Sequence, residues 1–189
     1  MITRQETFVG LYAAWRLFIR DPRGADLLDD SVLGVIKSFF CAVVVLPGYI
    51  ILRVSAPVEL PEDIGFGRVF LADAITYVIS WTAWPLLMAY IAPALDRDDR
   101  YCRYVAAINW AGGPNMVLLL LLLFAGASGL VPKDVHNLLS IAVFVIFFVY
   151  HLFIVRVVLD LTFFVAFGLV AAEVVLQIMI IYMRKAMLT

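Results

Sequence analysis

The feature that most constrains the fold of this chain is an almost unbroken apolar run from residue 137 to residue 183. The run has about 47 residues, of which three are charged and one is histidine. A bilayer core about 30 Å thick is crossed by about 20 helical residues, so the run is too long for one crossing and long enough for two. Asp160 and Thr162 supply turn-compatible polar groups near its middle. The run therefore predicts a tight helical hairpin.

The composition of the whole chain is that of an integral membrane protein. Hydrophobic residues make up 65% of its 189 residues and charged residues 15%, whereas about a quarter of residues are charged in soluble domains. The mean hydropathy is +1.01. A net charge of −1 and scattered basic residues give no surface for nucleic acid. We predict an all-α polytopic membrane helix bundle without a nucleic-acid partner.

Five transmembrane helices are predicted in one domain, residues 32–189. Their approximate ranges are 32–54, 69–92, 104–127, 138–159 and 161–183. Polar residues at 29–31 can cap the first span, and Pro47-Gly48 should kink it. Asn137 or Ser140 is a plausible cap for the fourth span.

Residues 1–31 are predicted to form a cytoplasmic segment with one amphipathic helix and a turn. Thr3 and Glu6 fit the capping box that begins a helix. Apolar residues then recur with helical spacing and form a candidate interface: Phe8, Leu11, Trp15 and Phe18. The helix either lies in the membrane interface with these residues inserted, which makes membrane lipids a partner, or packs beneath the bundle.

Polar side chains inside the predicted spans form a candidate functional cluster. Its members are Asp73, Asn109, Asn115, His151, Glu173 and Gln177. From the hairpin turn, His151 is about 8 residues up its helix and Glu173 about 12, an axial offset of about 6 Å. Side chains lean towards the N-terminus of their own helix, which closes this offset between antiparallel helices. The sequence therefore predicts contact between His151 and Glu173, with Gln177 one turn further on.

The polar cluster permits two interpretations of function. Catalytic motifs, cofactor motifs and metal-ligand spacings are absent from the sequence, so we expect no enzyme activity, cofactor or metal. The first hypothesis is a scaffold or accessory subunit of a membrane complex, or a protein of membrane organisation, with a protein partner or a second copy. The small-residue pair Gly168 and Ala172 fits such close helix packing. The alternative is a small transporter or channel, which a continuous polar track would favour.

The chain resembles the Yip1-like membrane proteins in having five spans, an N-terminal amphipathic helix and a tight final hairpin. The detailed likeness is to small uncharacterised alphaproteobacterial relatives of that type. The residues that carry it are Ala14-Trp15-Arg16-Leu17, Asp29-Asp30-Ser31-Val32, Tyr104 with Asn109-Trp110, and Tyr150-His151-Leu152-Phe153-Ile154 with Leu159-Asp160. The resemblance implies a non-enzymatic protein that acts through partners or lipid. We expect it in the bacterial inner membrane.

The distribution of Lys and Arg predicts the orientation in the membrane. With a cytoplasmic N-terminus, nine of the 14 basic residues lie inside, as the positive-inside rule requires. The nine are Arg4, Arg16, Arg20, Arg23, Lys37, Arg97, Arg100, Arg103 and Arg156, and those outside are Arg53, Arg68, Lys133, Arg184 and Lys185. The C-terminus is therefore predicted to lie outside.

Reporter fusions test this orientation. We expect a fusion after Arg97 to give a cytoplasmic signal and a fusion after Thr189 to give an external one, because an odd number of spans separates the two chain ends. A cytoplasmic signal from the Thr189 fusion would contradict the five-span orientation.

Overall fold

The structure is a computed structural model that describes residues 2–55 and 65–189. Within these ranges the chain forms only helices and turns. The helices are α1 (Arg4–Phe18), a 3-10 helix (Pro22–Leu27), α2 (Val32–Ser38), α3 (Phe40–Ser55), α4 (Phe66–Ala94), α5 (Asp98–Ala127), α6 (Lys133–Val158) and α7 (Phe163–Met187). Five segments are long and apolar enough to cross a membrane: α2 with α3, α4, α5, α6 and α7. The predicted all-α fold with five spans after an N-terminal helix is confirmed.

Most of the transmembrane helices extend beyond their predicted ranges. Charged residues near the helix ends continue the helical hydrogen bonding past the apolar core, so α5 begins at Asp98 and α7 ends at Met187. Helix α6 begins at Lys133 with Pro132 as its N-cap residue. The predicted caps Asn137 and Ser140 are therefore wrong.

The first span is interrupted at Phe39, between α2 and α3. The Ser38 hydroxyl donates to the Val35 carbonyl at 2.7 Å, a back-bond that bends helices. The same hydroxyl accepts a hydrogen bond from the Asn109 amide at 2.8 Å. Helix α3 continues through Pro47. The interruption at Phe39, which coincides with a contact to α5, was not predicted.

The last two spans form the predicted hairpin, with residues 159–162 as its turn. Asp160 has a φ of +51°, a left-handed conformation that aspartate tolerates better than most residues. Arg97 donates to the Leu159 carbonyl at 2.8 Å and to the Asp160 carbonyl at 3.2 Å. The connection between α4 and α5 therefore holds the turn. We call this end of the bundle the hairpin end and the opposite end, near Ser55 and Met187, the far end.

Helix α1 packs on the bundle through its smallest residues. The predicted capping box is present, with the Thr3 amide 2.7 Å from Glu6 Oε2 and the Glu6 amide 3.2 Å from Thr3 Oγ1. The buried residues of the helix are Gly10, Ala13, Ala14 and Leu17. They face α5, α6 and the 3-10 helix, and the Tyr150 hydroxyl donates to the Ala14 carbonyl at 2.8 Å. Close approach of the two backbones is possible because these side chains are small.

The four predicted interface residues of α1 are divided between two environments. Leu11 and Phe18 pack against the buried core. Phe8 is 70% exposed and Trp15 51% exposed on the neighbouring face of the helix, where the Trp15 ring stacks on Phe18. The helix therefore packs on the bundle and also presents aromatic side chains away from it.

Gly10 offers a direct test of the α1 contact. A Cβ at this position would overlap the Trp110 ring, which is 5% exposed and has little room to move. We expect Gly10→Ala to destabilise the fold by about 1–3 kcal/mol, seen as a lower midpoint of thermal unfolding in detergent. Gly168→Ala is the matched control, because nothing lies within 4 Å of a Cβ there. Equal midpoints for the two variants would contradict the docking of α1.

Candidate functional site

Three polar side chains from three helices form a hydrogen-bonded set that we call the intramembrane triad: Asn115, His151 and Glu173. His151 Nδ1 on α6 lies 3.0 Å and 3.1 Å from the two carboxyl oxygens of Glu173 on α7. His151 Nε2 lies 3.0 Å from the Asn115 amide nitrogen on α5. The predicted contact between His151 and Glu173 is confirmed. Asn115 is the third member, and it joins α5 to the hairpin.

The triad is buried at the depth of the hydrocarbon core. Glu173 is 7% exposed and lies about 15 Å along α7 from Phe163. An isolated carboxylate at such a depth is costly. One proton placed on Glu173 or on His151 gives a pair with zero net charge. The pair is then compatible with an apolar environment.

Asn115 allows the triad to keep its hydrogen bonds in more than one protonation state. An amide donates through its nitrogen and accepts through its oxygen. Asn115 therefore donates to an unprotonated His151 Nε2, or turns over and accepts from a protonated one. The amide oxygen is buried and without a hydrogen-bond partner within the described residues. In either orientation, one polar atom of the Asn115 amide therefore makes no hydrogen bond to His151.

Two cavities adjoin the triad and share a polar wall formed by Asn115, His151, Glu173 and Gln177. The first cavity, of about 290 Å³, lies towards α3 and α4 and is lined by Tyr49, Tyr77 and Trp81 among others. We call it the Tyr49 cavity. The second, of about 410 Å³, lies between α6 and α7 and is lined by Phe144, Phe147, Phe148, Val174, Ile178 and Ile181 among others. We call it the Phe144 groove.

Gln177 lies beside the triad without joining it. It follows Glu173 by one turn of α7 and lines both cavities. The hydrogen bonds of the triad do not include the Gln177 amide, and this amide makes none to the other described residues. Of the predicted cluster, the structure therefore brings Asn115, His151, Glu173 and Gln177 together.

Asn109 belongs to a separate contact nearer the hairpin end. It lines the Tyr49 cavity, but its amide donates to Ser38 and not to the triad. The cavity is closed beside it by Trp84, whose indole nitrogen donates to the Tyr104 hydroxyl at 2.8 Å. Trp84 and Tyr104 are at most 2% exposed. Asn109 therefore contributes to helix packing at the closed end of the cavity.

Asp73 lies at the far end, away from the triad, in a cluster that the sequence analysis missed. Arg184 Nε lies 2.5 Å and Arg53 Nε 3.4 Å from Asp73 Oδ1. The two arginines join the ends of α3 and α7 to the start of α4. Counting residues along the predicted spans already places all three charges at one level. That signal could have revealed the cluster.

At the hairpin end, an ion pair ties the N-terminal segment to the first span. Lys37 Nζ lies 2.5 Å from Glu6 Oε1. Hydrogen bonds from Lys37 and Thr3 lower the pKa of Glu6 to about 2. Glu6 therefore stays ionised and paired at neutral pH.

Comparisons with protein-family models, with curated proteins and with solved structures gave no match. The fold and the site therefore define the class on their own. The chain is a polytopic integral membrane protein with a buried Asn-His-Glu triad. Among residues 2–55 and 65–189, no three His, Cys, Asp or Glu side chains are placed to hold a metal ion.

Two substitutions of Glu173 test how the triad contributes to stability. Glu173→Gln keeps an acceptor for His151, so we expect a small change in the free energy of unfolding. Glu173→Leu leaves a buried imidazole nitrogen unpaired, and we expect a loss of about 1–3 kcal/mol. The midpoints of thermal unfolding in detergent give the comparison. A Leu variant as stable as the Gln variant would show that the hydrogen bond contributes nothing to stability.

Proposed function

We propose that the chain is a non-enzymatic membrane protein that serves as a scaffold or accessory subunit of a membrane complex, or in membrane organisation. The observation that supports this most is the pairing of its intramembrane polar groups in separate sets. The triad joins α5, α6 and α7, and the Asn109 amide joins α5 to α2. The Asp73 carboxylate joins α3, α4 and α7 at the far end. Separate paired groups of this kind hold helices together.

The closed hairpin end argues in the same direction. Trp84, Met88 and Tyr104 are at most 2% exposed and lie between the Tyr49 cavity and that end. Tightly packed side chains leave no room for water. A polar path through the described residues therefore stops halfway across the bundle.

The outer face of α7 is the surface that we assign to a partner helix or a second copy. Gly168 and Ala172 are both exposed there, and nothing lies within 4 Å of a Cβ at Gly168. Small residues four apart let a second helix approach closely. The described residues of the bundle do not pack against this notch, which leaves it available to another chain.

The proposal includes contact of α1 with membrane lipid and a defined orientation of the chain in the membrane. The exposed Phe8 and Trp15 of α1 suit insertion at a membrane surface. The distribution of Lys and Arg favours a cytoplasmic N-terminus and an external C-terminus in the bacterial inner membrane. The resemblance to Yip1-like proteins is in keeping with a role that depends on partners or lipid.

Cross-linking in membranes followed by purification in mild detergent tests the partner surface. We expect wild-type protein to retain a stoichiometric partner or second copy. Gly168→Ile should reduce its recovery by about tenfold, the effect of losing about 1.4 kcal/mol of packing. Val78→Ile is the control, because it enlarges an exposed side chain on α4, outside the α7 notch.

Two results would count against these assignments. Recovery of wild-type protein as a monomer without a stoichiometric partner would overturn the scaffold proposal. Normal recovery of the partner with Gly168→Ile would move the contact away from the α7 notch.

A small transporter or channel is the second candidate function. Its support is the polar wall that the Tyr49 cavity and the Phe144 groove share. Transport would require the closed hairpin end to open, which Trp84 and Tyr104 prevent in this conformation.

A further inference from the structure

Like the buried oxygen of Asn115, the Gln177 amide is an intramembrane polar group without a hydrogen-bond partner among the described residues. Gln177 lines both cavities, and its side-chain amide has no hydrogen bond to the other described residues. An unpaired amide in hydrocarbon costs several kcal/mol in transfer experiments, and lipid tails offer neither donors nor acceptors. A molecule that binds beside Gln177 and supplies both a donor and an acceptor would satisfy the hydrogen bonds of the amide.

The Phe144 groove is shaped to admit an apolar molecule from the membrane. Phe144 is 52% exposed and Ile181 64% exposed at its edges, so the groove opens on the lipid-facing surface between α6 and α7. Its volume of about 410 Å³ lies within the range of small-molecule sites, about 300–1,000 Å³. Phe147 and Phe148 add aromatic surface, which favours a flat or aromatic body.

The depth of the polar wall excludes an ordinary phospholipid. Glu173 lies about 15 Å and Gln177 about 21 Å along α7 from Phe163, inside the hydrocarbon region. A phospholipid keeps its headgroup at the surface, so its tails and not its polar atoms would reach this level. A ligand whose polar group reaches the depth of Gln177 is therefore a molecule dissolved within the membrane.

The charge of the wall excludes an ionic head. Glu173 and His151 already balance one another when they share one proton, and a further charge in hydrocarbon is costly. Gln177, which lines the groove, offers neutral hydrogen bonds as both donor and acceptor. A hydroxyl, which both donates and accepts, fits this amide.

We propose that the Phe144 groove binds a membrane-dissolved small molecule with an apolar body and a hydroxyl head that hydrogen-bonds to Gln177. This inference goes beyond the scaffold role and does not depend on it. The α7 notch at Gly168 lies outside the groove lining, so Gly168→Ile should leave binding unchanged. Failure of either proposal can therefore be recognised separately.

A matched pair of probes tests the hydroxyl. 4-Hexylphenol and 4-hexylanisole share one body and differ in the hydroxyl, which is methylated in the second. We expect wild-type protein in detergent to bind hexylphenol about tenfold more tightly, the effect of one hydrogen bond. Native mass spectrometry gives the bound fraction, and the shift of the thermal unfolding midpoint gives an independent reading.

Three variants locate the site. Gln177→Leu removes an unpaired amide, should fold at least as well as wild type, and should bind both probes equally. Val174→Trp fills the groove and should abolish binding of both. Val175→Trp is its control, because Val175 is 55% exposed and is not part of the groove lining; it should bind like wild type.

The proposal is overturned if wild-type protein binds neither probe, or if the preference for hexylphenol persists in Gln177→Leu. It is also overturned if Val174→Trp binds both probes like wild type. Loss of an oligomer in Val174→Trp with probe binding intact would identify the groove as a protein interface instead.

Discussion

The hydrogen bond between His151 and Glu173 is the contact on which the arrangement of the last three spans depends. The hydrocarbon core of a bilayer supplies no hydrogen-bonding groups, so the Glu173 carboxyl group is stabilised by its contact with His151. This hydrogen bond fixes the position of α6 relative to α7 along the membrane normal. The short turn at residues 159–162 already restricts that position. The second nitrogen of the imidazole then binds Asn115, and this fixes α5 against the pair. One side chain therefore orients three helices.

The two halves of the bundle are built differently along the membrane normal. At the hairpin end, Gly10, Ala14 and Ala107 are buried and allow α1 and α5 to approach closely. At the level of the triad and beyond, bulky side chains leave two cavities. Dense packing resists deformation, whereas free volume permits side chains to rearrange. The hairpin end also has cavities, of about 330 Å³ and 480 Å³, but these are lined in part by the polar N-terminal segment, whereas the two cavities beside the triad are lined by transmembrane helices alone.

The contact of His151 with Glu173 was predictable because a short turn and a rise of about 1.5 Å per residue place both side chains at one level. Asn115 was a member of the predicted cluster, but the same reasoning does not predict its contact with His151, because the rotation of α5 about its axis depends on tertiary packing. Hydrophobic spacing also ranked Phe8 and Trp15 above the small residues of α1. Helix contacts inside a membrane select small side chains, however, so Gly10 and Ala14 form the buried face.

Helix α7 unites the proposed roles because its faces meet different surroundings. Glu173 points into the bundle, Gly168 points outward, and Ile178 lines the groove. The far end of the helix is held by the pair of Arg184 with Asp73 and by the hydrogen bond from Arg68 to the Met187 carbonyl. These contacts hold α7 at two levels. A molecule in the groove and a partner at the notch would therefore contact different faces of the same helix.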